Sequence, residues 1–81
     1  MKQYILNIEQ KKKALAELDY DDEVRQDYES VINDKWYITD DLTKDNFKNN
    51  GDYPFLLFCS LNEHNELIDA ISDNLANEIL H

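Results

Sequence analysis

The chain has 81 residues, 42 % of them hydrophobic, and a formal net charge of −10. That length supports one thin hydrophobic core, so residues 1–81 are read as a single acidic domain. The charge disfavours direct contact with a nucleic-acid backbone or an anionic membrane and favours a basic protein partner.

The charge is unevenly spread. Residues 1–18 carry four Lys against Glu9 and Glu17, residues 19–52 carry eleven acids against four bases, and residues 53–81 carry five acids and no base. The longest apolar run, Phe55-Leu56-Leu57-Phe58-Cys59, is far shorter than the roughly 20 residues that cross a bilayer. The N-terminal residues lack the apolar stretch of a signal peptide. A single Cys makes no internal disulfide, and a cytoplasmic location is expected.

Taken in chain order, Tyr4, Ile5, Ile8, Leu15 and Leu18 fall at helical spacing, which predicts a first helix within 2–18 whose apolar face is interrupted by Lys11 and Lys12. Asp19 or Asp21 is a candidate N-cap for a second helix carrying Val24, Tyr28, Val31 and Ile32. Residues 35–39 either extend that helix or form a short strand. Thr39 or Asp40 would cap a short third helix through Leu42 and Phe47, ended at Asn49-Asn50-Gly51 with Gly51 left-handed. Asp52 and Pro54 would open the last segment. There Leu57, Leu61, His64, Ile68, Ile71, Leu75 and Ile79 recur at spacings of 4, 3, 4, 3, 4 and 4, which predicts one long helix or two.

One Gly and one Pro leave the chain without the punctuation of an all-β fold. The expected fold is therefore all-α, a small bundle of three to four helices. The alternative is α+β, with a short hairpin from 35–39 and 55–61 packed on helices, because five consecutive apolar residues fit a buried strand nearly as well.

The candidate chemistry is sparse. Placing Gly51 at the sixth position of a calcium loop puts Lys48 third and Leu57 twelfth, where oxygen ligands belong. Cys59, His64 and His81 do not share a helical face, so no metal site is expected. Cys59 reads as a small buried apolar residue, and His64 as a core or boundary side chain. A single Gly excludes phosphate-cradling loops, and no cofactor or catalytic set is expected.

The densest acids are Asp19, Asp21, Asp22, Glu23 and Asp27, then Asp40, Asp41 and Asp45. Helix capping and solubility explain part of this pattern. The functional reading is a surface that imitates a phosphate array and occupies the basic groove of a nuclease or another nucleic-acid-binding protein. Trp36 and Tyr37, beside the second cluster, join the candidate partner-binding set, with Trp36 anchoring the core and Tyr37 pointing outward. Tyr20 and Tyr53 fall in connections. Bacterial toxin-immunity proteins and phage anti-restriction proteins are similar in size and charge, and no motif in the chain assigns it to either. The second functional reading is an adaptor or homodimer that docks through the apolar stripe of Leu57, Leu61, Ile68, Ile71, Leu75 and Ile79.

Overall fold

The computed structural model describes residues 3–41, 53–61 and 64–81. Their elements run β1 (Gln3–Ile5), α1 (Ile8–Glu17), α2 (Asp22–Glu29), β2 (Trp36–Thr39), β3 (Phe55–Leu61), β4 (His64–Ile71) and α3 (Asp73–Leu80). The four strands form one antiparallel sheet in the order β1-β2-β3-β4. The architecture is α+β, which overturns the all-α expectation. The sheet's inner pair is the one the alternative reading joined, with Trp36 opposite Cys59 and Thr39 opposite Leu56.

Both inner strands are buried on both faces, which is why their sequence shows no alternation. Trp36, Ile38, Leu57, Cys59 and Ile71 share a core with Leu6, Ala14 and Leu15 of the first helical region and Ala76 and Ile79 of α3. Tyr37, Leu56 and Phe58 form a separate buried cluster on the other face, with Ala70 packed against it. A continuous apolar run thus splits its side chains between two clusters by the period of two that a strand imposes.

The apparent helical stripe has a different origin. Leu57 pairs with Asp69, but Phe58 pairs with Leu67, so Ile68 is an extra residue in β4, a β-bulge. Leu61 and His64 face each other directly across the strand pair. A spacing of four satisfies a strand as well as a helix. The two spacings of three arise where the chain crosses from one strand to the next and where the bulge inserts a residue. Only Leu75 and Ile79 lie on a helix, α3. Leu57 and Ile71 of the stripe are fully buried and Ile79 nearly so, Leu61, Ile68 and Leu75 pack half-buried against them, and His64 is exposed.

Three local signals set the helices. Asn7 and Gln10 form a reciprocal capping box at the start of α1, so the chain before it, 3–5, is free to pair as β1 instead of extending the helix. The Leu6 amide continues that pairing by donating to the Trp36 carbonyl at 2.9 Å. Asp21 caps α2 through the Val24 amide at 3.0 Å, and Ser72 caps α3 through Leu75 at 3.2 Å. Asp19 carries φ 52, the left-handed conformation that ends α1. Thr39 lies within β2, and its hydroxyl oxygen accepts the Asp41 amide at 3.2 Å. Pro54 precedes a strand, not a helix. The short helix expected through Leu42 and Phe47, its end at Asn49-Asn50-Gly51, and the Asp52 cap lie outside the described residues.

Lys11, read in sequence as an interruption, is 6 % exposed. Its ammonium donates to the carbonyls of Ile32 at 2.8 Å and Asp34 at 2.6 Å, tying α1 to the turn that links α2 to β2. The methylene stem packs where an apolar residue would sit, and the charge closes two carbonyls that would otherwise lack donors. Replacing Lys11 with Met keeps the stem and strands both carbonyls. We expect a loss of about 1–3 kcal/mol in urea unfolding at unchanged slope, from two half-buried acceptors that lose a charged donor. Lys12→Met, on the exposed side, should change little. Equal effects at the two positions would remove Lys11 from this role.

α1 packs against α3, and Glu17 meets Glu78 across that contact. The hydrogen bond between the two carboxyls and then the like charge of Glu78 hold Glu17 above its usual 4.5, while Lys13 opposes the shift. A raised carboxyl pKa means the folded state holds the proton more tightly. The pair's favourable contribution is therefore complete below 4.5 and is lost as pH rises through the raised value. Glu17→Gln should melt higher than the wild type at pH 7, with the gap closing below about pH 4.5. Parallel melting curves across that range would show that the two carboxyls do not interact.

Candidate functional site: the acidic helix and its groove

The structure separates the predicted contact residues into groups. Asp22, Glu23 and Asp27 are exposed on α2, with Asp19 and Asp21 exposed just before it. Asp40 is exposed and Asp41 half-buried at the opposite end of β2 from the turn that follows α2. Asp45 lies outside the described residues. Trp36 is 0 % and Tyr37 1 % exposed. Trp36 donates its indole N–H to the Val31 carbonyl at 3.1 Å. Tyr37 does not point outward: its ring stacks on Phe58 at 5.4 Å and 18°. The sheet is buried on Tyr37's side as well, which the all-α reading had no means to anticipate.

α2 is the helix that exposes most. None of its residues is buried. Asp21 at the cap and Asp22 and Glu23 in the first turn are accounted for by helix stability alone, since carboxylates complement the positive end of the helix dipole. Asp27 and Glu29 are not. They occupy the last turn, where the dipole favours bases and α2 has none. Asp27 also repeats the charge of Glu23 one turn earlier, a like-charge pair that weakens a helix. The helix's one base, Arg25, lines the cleft against α1 with Lys12, Leu15, Ala16, Glu29 and Ile32. Its Nη2 donates to the Tyr20 carbonyl at 3.3 Å, and its Nε is buried with no acceptor among the described residues. Asp22, Glu23 and Gln26 are exposed between the two flanks of α2, with Glu29 exposed beside the α1 cleft and Asp27 on the opposite flank.

On its other flank α2 forms a groove of about 460 Å³ with β3 and β4. Val24, Tyr28, Ser30, Val31, Cys59, Leu61, Leu67 and Ile68 line it, with Asp27 on α2 and Glu66 on β4. An aromatic series supports α2 from below: Tyr20 and Tyr28 lie 5.3 Å apart, and Tyr28 meets the edge of Trp36 at 6.2 Å. The Tyr20 hydroxyl reaches both the Ile68 carbonyl at 3.3 Å and the Asp69 carboxylate at 3.2 Å. Burial first, and then the charge of Asp69, raise the pKa of Tyr20. Tyr28 is raised by burial and by Asp69, Glu66, Cys59 and Asp27. Burial, with Asp34 and Glu66 behind it, pushes the Cys59 thiol up to about 11, against the pull of Lys11. Burial leads each of these three shifts, and neighbouring carboxylates add to it.

His64 is exposed at the start of β4, not in the core. Among the described residues no three His, Cys, Asp or Glu side chains gather as a metal site would require. No described helix is long and apolar enough to cross a membrane. No family model, curated protein or solved structure matches the chain.

Sequence reasoning missed Glu29, Glu66 and the inward turn of Arg25. The position of Glu29 in a last turn was open to inspection once the helix end was known. Glu66 was hidden by the bulge.

The raised Cys59 thiol has a kinetic consequence. Relative to a thiol at 9.0, one at about 11 holds about 100-fold less thiolate at pH 8, and the thiolate is the reacting species. Alkylation by iodoacetamide at pH 8 should be at least about 100-fold slower in the folded protein than in urea. Comparable rates would show that the thiol is neither buried nor surrounded by negative charge.

Proposed function

We propose that this domain is a non-catalytic acidic protein whose α2 surface occupies the basic nucleic-acid-binding site of another protein. The observation that carries the reading is the placement of Asp27. It sits in the last turn, where the helix dipole disfavours an acid, and repeats the charge of Glu23 one turn earlier, on a helix with no buried residue, while Glu29 shares the cleft beside α1 with Arg25 and Lys12. Capping and solubility account for acids at a helix start but not for acids at its end. Residues 21–29 span about 13 Å of helix at 1.5 Å per residue. Their five carboxylates give about one charge per 2.6 Å, against one per about 1.7 Å along duplex DNA. The density is of the right order to compete for the same Lys and Arg side chains. Asp40 and Asp41, at the far end of β2, form a separate acidic group. Tyr37 and Trp36, being buried, are left out of the contact set.

The adaptor reading drew on a single apolar helix face. Its residues are divided among β3, β4 and α3; Leu57, Ile71 and Ile79 are core, and Leu61, Ile68 and Leu75 pack half-buried against it. The reading keeps no surface of its own.

The test is affinity capture from the host with the wild-type domain and with the triple variant Asp22→Lys, Glu23→Lys and Glu29→Lys, which leaves the Asp21 cap in place. Wild type should retain a nucleic-acid-binding protein at about 0.15 M salt and release it near 1 M, where the screening length falls from about 8 to about 3 Å. Duplex DNA should displace it. Reversing three exposed charges should weaken capture by at least about tenfold. A partner retained at high salt, unaffected by DNA and by the variant, would overturn the proposal.

A further inference from the structure

We infer that the groove between α2 and β4 receives an arginine side chain of the basic partner, its guanidinium held between Asp27 and Glu66. The inference rests on the proposed reading of the partner as basic, and it assigns a position within that surface. The bulge at Ile68 is the starting point. With an unbroken register, alternate residues of β4 would keep Leu67 on the same side as Asp69 and Ile71, toward the helices. The one-residue shift instead sets Glu66 opposite Cys59, toward the helices, and Leu67 opposite Phe58. Leu67 ends 40 % exposed. The strand thus gives up apolar burial and brings a carboxylate to the wall of an otherwise apolar groove, a departure from core logic of the kind found at binding sites.

The opposite wall carries Asp27, the residue that α2 places against its own dipole. The two carboxylates come from different elements, and no basic side chain lines the groove with them. Between them lie Tyr28, Val31, Leu61 and Ile68, surfaces suited to a methylene stem and to the face of a weakly hydrated cation. A guanidinium satisfies this arrangement better than an ammonium. It carries five donors in a planar fork, enough to serve two separated carboxylates at once, and loses its hydration more readily.

The experiment is a titration of the full chain, followed by amide NMR shifts, with the capped pentapeptide Ala-Ala-Arg-Ala-Ala and its Lys and citrulline counterparts. Citrulline keeps the shape of arginine without its charge. Saturable shifts for the Arg peptide at Tyr28, Val31, Cys59 and Ile68, weaker for Lys and absent for citrulline, are expected. Asp27→Asn with Glu66→Gln should weaken binding by at least about tenfold. Asp22→Asn with Glu23→Gln removes the same two charges from the outer side of α2 and should cost less than about threefold. Melting curves of both double variants establish that each is folded. Equal weakening by the two pairs, shifts spread along the outer side of α2, or a citrulline peptide that binds as well as arginine would each overturn the groove assignment. The acidic-surface reading would stand in the first two cases, since it is decided by the capture experiment.

Discussion

The Lys11 ammonium lies between two backbone carbonyls, of Ile32 and Asp34, and the geometry of the acidic surface depends on that contact. The turn after α2 makes its other bonds to the sheet. Val31 accepts from Trp36, and Lys35 accepts from the Ser60 amide at 2.8 Å. Lys11 joins this turn to α1, and α1 in turn rests on α3. α2 itself buries no residue fully and meets the core through the half-buried Tyr28, edge-on to Trp36. Its ends are fixed by Tyr20, bonded to β4, on one side, and by the turn held on Lys11 on the other. A helix positioned this way can leave its outer surface almost wholly polar and still be presented in one orientation.

That arrangement explains a tension in the sequence. A small domain has little stability to spare. Yet α2 carries carboxylates in its last turn, and Glu17 faces Glu78 across the α1–α3 contact. Each is a local cost that a base at the same position would remove. None of the three helices has a basic residue in its last turn. The two bases nearest α2 are spent on the interior, Lys11 on carbonyls and Arg25 on Tyr20 and the cleft beside α1. With Lys11 and Arg25 turned inward, the exposed surface of α2 carries acids and no exposed base, which favours an acidic exterior there over maximal stability.

Part of this was legible in the sequence. Asp21 as a cap, the helical spacing of Val24 and Tyr28, and the buried nature of Cys59 followed from residue types and local spacing. The β2–β3 pairing was visible as an alternative. The fold class was misread because a strand pair with a bulge reproduces the spacing of a helix: Leu57 to Leu61 is four either way, and Ile68 to Ile71 is three only because Ile68 is inserted. The N-terminal strand was merged with α1 because Tyr4, Ile5 and Ile8 also fit a helical face, and only the Asn7–Gln10 box separates them. Tyr37 was placed outside because a strand buried on both faces gives no alternation to read. Glu66 was invisible as a site residue since its direction depends on the bulge, and no local composition announces one.

The same bulge bears on how copies of this protein behave toward each other. β1 and β4 are the outermost strands of the described sheet, and an outermost strand is where another chain can continue the hydrogen-bonded ladder. β1 offers only three residues. β4 offers eight, but its regular spacing is broken at Ile68, whose carbonyl already accepts the Tyr20 hydroxyl. Glu66 and Asp69 flank the break with like charges that would face their counterparts in an antiparallel copy. A strand interrupted at its middle and charged on both sides of the interruption is a poor template for fibre growth, so the residue that shapes the groove also guards the sheet against aggregation.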